Sequence, residues 1–311
     1  MENAATAGNT VISNKLRKRD KRRQNAMYYI MIAPFLILFF LFTVLPVISS
    51  VVLSFFDFDA VSMPKWAGFD NYSRMFLEDD VFPSALSNTL VFAVITGPIG
   101  FFLAFMLAWM VNEFGPTTRT ILSFLFYAPA LTGNVYYIWQ VLFSGDAYGY
   151  MNSLLISIGL ITDPIQWLKD PKYVLTIIII VQLWMSLGVT FLANISGLQN
   201  VNPELYEAGA IDGIRNRWHE LWYITLPSMR SILMFGMVMQ IQQAFSVSAV
   251  PIALAGMPSV NYSAETIVTL LTDVGTARYE MGYAAAISVV LFILMALTKQ
   301  LLGKLINMAG R

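Results

Sequence analysis

The stretch VFPSALSNTLVFAVITGPIGFFLAFMLAWMVN, residues 81 to 112, runs for 32 residues without Asp, Glu, Lys or Arg. A helix rises 1.5 Å per residue and the hydrocarbon core of a bilayer is about 30 Å thick, so about 20 residues cross it. A charge at the bilayer centre costs about 2.5 to 3.5 kcal/mol on insertion scales, which makes an uncharged run of this length the mark of a membrane span. Five more such runs lie outward from it: Gln24 to Phe56, Thr120 to Gly145, Tyr173 to Pro203, Ser231 to Ala264 and Met281 to Thr298. The last holds 18 residues and reaches the required length with Lys299 snorkelling. A shorter uncharged run, Ala147 to Thr162, carries Tyr148, Gly149, Asn152, Ser153, Ser157 and Gly159 and reads as an interfacial or loop segment.

The rest of the composition agrees. Of 311 residues 57% are hydrophobic and 12% charged, about half the charge of an ordinary soluble domain, which excludes most soluble enzymes. The chain has no Cys and a single His, His219, so disulfides, thiolate metal sites and a His-rich metal site are all excluded. No metal or cofactor is expected.

Six spans put both termini on one side, and the basic residues assign that side to the cytoplasm. Lys15, Arg17, Lys18, Arg19, Lys21, Arg22 and Arg23 cluster ahead of the first span. With Arg119, Arg215, Arg217, Arg230, Lys299, Lys304 and Arg311 they put 14 of the 19 Lys and Arg inside, as the positive-inside rule requires. The outer segments keep Lys65, Arg74, Lys169, Lys172 and Arg278 against twelve acids. The first span is too long for a signal-peptide core and no small-x-small cleavage site follows it, so it is expected to remain as a helix.

The expected fold is an all-α integral membrane protein of six transmembrane helices: a basic cytoplasmic tail over 1–26, a membrane domain over 27–303 and a cytoplasmic tail over 304–311. Spans fall at about 27–54, 84–111, 119–143, 173–197, 228–254 and 281–298. An outer segment with turn signals at Pro64 and Gly68 follows span one, and a tight turn, Asn112 to Pro116, joins spans two and three. Pro34, Pro46, Pro98, Pro129 and Pro251 lie in or near spans and read as packing kinks.

Between spans four and five, residues 198–228 read as a hairpin. Asn202 can cap a helix that opens with Pro203 and Glu204, with Glu207 one turn on. Ala208, Gly209 and Ala210 give that helix a patch almost without side chains, and Gly213 suits a left-handed C-cap. A second short helix carries Trp218, Leu221 and Trp222 on one face, with Arg215, Arg217 and His219 interspersed, and closes at Leu226-Pro227. The small residues admit a close-approaching surface, and the aromatic face is expected to anchor the hairpin to its own membrane domain.

Glu207-Ala208-Gly209-x-x-Asp212-Gly213 followed by Ile224-Thr225-Leu226-Pro227 resembles the EAA loop of binding-protein-dependent ABC import permeases. The likeness extends to Gly68-Phe69-Asp70-Asn71-Tyr72, Asn88-Thr89-Leu90, Pro129-Ala130-Leu131, Trp139 with Phe143, Asn152 with Leu154-Leu155, and Gly197-Leu198-Gln199 before Pro203-Glu204-Leu205-Tyr206-Glu207. Together these resemble the carbohydrate-type branch, the maltose and glycerol-phosphate permease subunits. Two departures stand out: Gly209 occupies a position where Ala is usual, and ten residues rather than nine separate Gly213 from Ile224. The resemblance implies a subunit of the bacterial plasma membrane that pairs with a second permease subunit and receives sugar from an extracytoplasmic binding protein. It further implies coupling to a dimer of ATPase subunits through Glu207, Ala208, Gly209, Asp212, Gly213, Ile224, Leu226 and Pro227. The chain has no Gly-x-x-x-x-Gly-Lys-Ser/Thr loop, so the ATPase is a separate polypeptide.

Substrate class can be constrained from the spans themselves. A path for an ionic solute needs a fixed countercharge, and no span has one. The spans offer amides and aromatics instead: Asn134, Tyr136, Tyr137, Trp139 and Gln140 in span three, Gln182 and Trp184 in span four, Gln240, Gln242, Gln243 and Ser246 in span five. Amide hydrogen bonds and aromatic stacking suit neutral sugars. Gln240, Gln243, Trp184 and Tyr137 are the candidate contacts, set against service as interhelical glue worth about 0.6 kcal/mol each. A secondary transporter of a small neutral solute is the alternative, though inverted repeats and intramembrane carboxylates for ion coupling are not apparent. A polytopic membrane enzyme would need a nucleophile and base, and the lone His219 reads as a solvated or packed loop residue.

Overall fold

The structure, a computed structural model, describes residues 27–309. The basic cluster over 1–26 lies outside the described residues. The chain divides into two units, the first ending at Leu53 and the second beginning at Ser54. In the first, helix α1 (Met27–Leu53) is 27 residues long, about 40 Å at 1.5 Å per residue, and is uniformly apolar. It passes through one π turn, Phe40–Val44, two residues ahead of Pro46. Proline cannot donate the next hydrogen bond, and a widened turn is a common way for a helix to absorb that loss.

The second unit opens with two short antiparallel strands, β1 (Phe56–Asp57) and β2 (Lys65–Trp66), an exception to the all-α expectation. Helices follow: α2 (Asp70–Leu77), α3 (Val81–Asn112), α4 (Pro116–Leu131), α5 (Tyr137–Leu142), α6 (Tyr150–Ser157), α7 (Pro171–Met185), α8 (Gly188–Gln199) and α9 (Pro203–Ile211). Then come α10 (Arg217–Glu220, prolonged by a π turn over Leu221–Thr225 and by Leu226–Ser228), α11 (Arg230–Phe245), α12 (Ala249–Ala255), α13 (Ile267–Thr272) and α14 (Met281–Ala309). Among the described residues five helical segments are long and apolar enough to cross a membrane: Met27–Leu53, Val81–Asn112, Val174–Gln199, Arg230–Ala255 and Met281–Lys304.

The expected third span is not one helix. It breaks after Leu131, where Thr132 takes extended backbone (φ −100°, ψ 106°) and Gly133 and Asn134 turn before α5. Absence of charge made this stretch look continuous, but Gly and Asn favour turns and Pro129 weakens the last helical turn. Smaller departures follow the same logic. Ala147 to Thr162, read as interfacial or loop, contains α6, and the segment before α14, expected as an outer loop, contains the buried helix α13. α14 runs to Ala309, so residues 304–309 of the expected C-terminal tail are helical.

α3 is the spine of this unit. Its buried positions include Ala85, Thr89, Thr96, Gly100, Ala104 and Ala108, a stripe of small residues at steps of four with one of seven, which lets other helices approach closely. It enters three buried clusters. Phe82 and Ala85 join Met75 of α2, Ile267 and Leu270 of α13, and Tyr283 and Ile287 of α14. Phe92 joins Val174, Ile178 and Val181 of α7 with Tyr136, Phe143, Val250 and Leu254. Ala104, Phe105, Ala108 and Val111 join Phe191, Ile195 and Leu198 of α8 with Leu221 and Ile224.

The 54–80 segment is pinned to the start of α14. Asn71 Nδ2 donates to the carbonyls of Ser54 and Phe56, Arg74 pairs with Glu280 at 2.6 Å, and Gly282 N–H donates to Phe58 O at 3.0 Å. Gly68 takes φ +59°, the left-handed turn that its sequence position suggested. Asp59 closes the strand connection by accepting from Ser62 N–H, Ser62 Oγ and Val61 N–H, and those donors hold its carboxyl down to about 2.

Candidate functional site

The 198–228 segment folds as a helix, a glycine turn and a second helix. Asn202 takes extended backbone (φ −62°, ψ 121°) and its Oδ1 accepts from Glu204 N–H at 3.1 Å, ahead of Pro203 at the first helical position. At the far end Gly213 has φ +90°, with Ile214 N–H donating to Gly209 O at 2.8 Å and Gly213 N–H to Ala210 O at 3.3 Å. That pair of bonds is a Schellman cap, and a left-handed φ is its requirement. Asn216 caps α10, its side chain accepting from Trp218 N–H at 3.0 Å.

The two arms are bound at their base. Tyr206 and Thr225 hydroxyls lie 2.9 Å apart across the hairpin. Gly209 and Ile224 are both buried, and a Cβ added at Gly209 would lie 2.6 Å from Ile224 Cδ1. The glycine that departs from the usual motif is therefore the one that receives the Ile224 side chain. Arg217 donates to Glu113, at the end of α3, at 2.7 Å and to Glu220 at 2.8 Å. The hydrogen bond to Glu220, with the charge of Glu113, raises the Arg217 pKa above its already high value.

The outer surface is different. Glu207, Ala208, Asp212, Gly213 and Pro227 are exposed, Leu226 is half-buried, and Ile211 is 87% exposed. Among the described residues the Glu207 and Asp212 carboxylates have no hydrogen-bond or ion-pair partner. The expected aromatic anchor is only partly realised. Leu221 is buried, and Trp218 tilts over Trp109 at 5.2 Å, yet Trp218, Trp222 and Tyr223 remain exposed. The buried arc runs through Leu221, Ile224 and Thr225 in the π turn, whose wider pitch displaces it from the Trp pair. His219 is exposed and meets only the edge of Tyr223, 6.0 Å between rings.

The four candidate sugar contacts separate. Gln240 is 1% exposed and sits between three helices: its Nε2 donates to Thr96 O of α3 at 3.2 Å and its Oε1 accepts from Thr190 of α8 at 3.3 Å. In this structure it is an interhelical tie. Gln243 is half-buried and Gln242 exposed, so the two do face differently. Trp184 is half-buried, edge-on to Trp139 at 5.5 Å, and Tyr137 is half-exposed beside Tyr136 at 5.2 Å. The polar seam around Gln240 includes two residues that sequence reading passed over. Thr190 also reaches Gly236 O at 3.5 Å, and Asn194, one turn along α8, is fully buried with neither amide atom engaged. Two polar residues four apart inside an apolar span were the available signal. No cluster of three His, Asp, Glu or Cys that could hold a metal occurs among the described residues.

No family model matches the chain. It is, however, 30% identical over 292 residues to the probable ABC transporter permease protein YesP of Bacillus subtilis (strain 168), covering 93% of each chain. It is 31% identical over 221 residues to the lactose transport system permease protein LacF of Rhizobium radiobacter, covering 70% of this chain and 72% of that one. Among solved structures it is similar to a chain of a bacterial ABC transporter involved in the import of the acidic polysaccharide alginate. That match has a TM-score of 0.73 and 26% identity, over 92% of this chain and 98% of the other. With relatives of this identity along almost its whole length, the chain belongs to the carbohydrate-type, binding-protein-dependent ABC importer permeases.

Proposed function

We propose that this subunit translocates a neutral sugar or short oligosaccharide, delivered by an extracytoplasmic binding protein, and is driven by separate ATPase subunits that dock on the 198–228 hairpin. A second permease subunit completes the path. The observation that carries the coupling role is the contrast within the hairpin: a base locked by Tyr206–Thr225, Gly209–Ile224 and Arg217–Glu113, and an exposed tip whose Glu207 and Asp212 carboxylates have no partner among the described residues. A lever needs a stiff base and a free end. The neutral-sugar reading is supported by the uncharged spans.

Six crossings are proposed, with α4, the Thr132–Tyr136 turn and α5 together forming the third. α4 has 16 residues, about 24 Å, and the six residues of α5 add about 9 Å, enough for a 30 Å core. Non-helical backbone at membrane depth is tolerated where it is buried in protein or lines a water-filled cavity. Thr132, Gly133 and Asn134 are exposed on this chain, so they fit the wall of the sugar path or the seam with the second permease subunit.

The test of coupling uses Gly213→Pro and Glu207→Arg in the assembled transporter. The first distorts the left-handed cap and the second reverses charge at the free tip. Both are expected to insert normally, to lose copurification with the ATPase and to lose sugar-stimulated ATP hydrolysis. Normal copurification with wild-type stimulation in either variant would show that the hairpin is not the coupling element.

A further inference from the structure

A cavity of about 720 Å³ lies away from the hairpin, lined by Gln140 of α5, Phe143 and Asp146 beyond it, Gln166 and Lys169 ahead of α7, and Val260 after α12. Its volume falls within the roughly 300 to 1,000 Å³ of small-molecule sites. In the orientation set by the basic residues it opens on the extracytoplasmic side.

The loops that form it are held by one side chain. Asn152 of α6 is fully buried, and its Nδ2 donates to Ser144 O, Asp146 O and Ile165 O at 3.0 to 3.2 Å. Its Oδ1 accepts from Ile165 N–H at 3.1 Å and Trp167 Nε1 at 2.8 Å. Five bonds from one amide join the two loops that supply Asp146 and Gln166. Trp167 then sets its edge against Phe143, 5.9 Å between rings. Asn152 thereby fixes the loops behind the lining residues, as a preorganised site requires.

The open polar groups facing the cavity are mostly acceptors. Gln140 Nε2 donates to Ala253 O and Gln166 Nε2 to Gly145 O, so each amide has a donor committed to backbone, while neither Oε1 has a partner among the described residues. Asp146 Oδ2 accepts from Ser144 Oγ at 2.8 Å, leaving Oδ1 open. Three open oxygen acceptors beside one ammonium, Lys169, call for a ligand rich in O–H donors. Phe143, Leu168, Leu254 and Val260 give the apolar surface on which a sugar lays its C–H face. A uronate would bring its carboxylate to Asp146 and two amide oxygens with a single cation to offset them.

We propose that this cavity is a reception site for an uncharged saccharide on the extracytoplasmic face, in which Gln140, Asp146 and Gln166 accept sugar hydroxyls and Asn152 positions them. The proposal rests on the sugar-importer reading above. It is tested on the complete transporter in lipid nanodiscs by hydrogen–deuterium exchange of segments 140–146 and 165–169, with millimolar lactose or an alginate trisaccharide as probes. Lactose is expected to protect both segments and the alginate trisaccharide neither. Asp146→Asn, at an exposed position, should weaken the lactose effect about ten-fold, as loss of a hydrogen bond to a charged group predicts. Gln166→Ala should weaken it several-fold. Protection by the alginate trisaccharide alone would overturn the neutral class. Absence of protection by both, with ATP hydrolysis still stimulated by sugar-loaded binding protein, would overturn the site and leave the importer reading standing; loss of that stimulation in the wild type as well would overturn both.

Discussion

Gly100 and Gln240 are expected to behave as one unit. A Cβ added at Gly100 would fall onto Gln240 Nε2, 3.3 Å from its Cδ and 2.8 Å from Ser186 Oγ. Gly100→Ala therefore overpacks the seam of α3 and α11, at about 1 to 3 kcal/mol. Gln240→Ala removes two interhelical bonds, each worth about 0.6 kcal/mol, and opens a cavity, so about 2 to 3 kcal/mol in all. In the double variant the new methyl enters space that the amide has left, and only the Ser186 hydroxyl must rotate. The double variant should therefore be less destabilised than the sum by about 1 to 2 kcal/mol. At about 2 to 4 °C per kcal/mol, that is a departure of several degrees in the apparent Tm of the nanodisc-embedded transporter. Shifts that add to within about 0.5 kcal/mol would refute the claim that the amide occupies the space above Gly100.

Asn194→Leu should raise the apparent Tm, because an amide buried without a partner costs about 1 to 3 kcal/mol and leucine is close in volume; a fall in Tm would mean that the amide is engaged. Arg217→Glu should depress sugar-stimulated ATP hydrolysis by setting three acids together, and Glu113→Arg in the same chain should restore it at least in part. Arg217 is largely exposed, so neither single change should move Tm by more than the equivalent of about 1 kcal/mol. On this Cys-free chain, single Cys residues placed at 78 and 163 should label with an impermeant reagent in intact cells and one at 216 should not; the reverse pattern would invert the topology.

What could be read in advance was what depends on neighbours in sequence. Charge-free runs located the helices at 27–53, 81–112, 174–199, 230–255 and 281–304, and the Asn202 cap and the Gly213 turn are local backbone chemistry. The stripe Ala85, Thr89, Thr96, Gly100, Ala104 and Ala108 was equally available, in steps of four and seven that keep to one helical face. The break at Thr132–Asn134 was missed because counting charges cannot detect turn propensity. The facing of Gln240 could not be read, because Gln240, Gln242 and Gln243 fall on different sides of span five and mark no single polar face. Nor could the Arg217–Glu113 pair, whose partners stand 104 residues apart, or the π turn that moves the buried arc away from Trp218 and Trp222.

The two ends of the unit that begins at Ser54 are held more tightly than its middle. The hairpin is closed by bonds of 2.7 to 2.9 Å from Arg217, Tyr206 and Ile214, and the 54–80 segment by Arg74–Glu280 at 2.6 Å and the Tyr283–Asp79 bond. Between them α3, α8 and α11 meet along small residues, with polar links of 3.2 to 3.5 Å and one amide unengaged. Neutral bonds at or beyond the long end of the usual range resist sliding weakly, whereas a packed apolar cluster moves as a block. A displacement of the hairpin would reach α3 through the cluster that Leu221 and Ile224 share with Ala104, Ala108 and Val111. α3 is one helix of 32 residues, so it would carry that displacement along its length, and the seam is where the difference between its motion and that of α8 and α11 would be absorbed. Phe92, further along α3, sits in the cluster that contains Tyr136, Phe143 and Leu254, two of which line the outer cavity. The fold thus gives a force on the 198–228 hairpin a continuous packed route to the walls of that cavity, with its softest joint at Gln240.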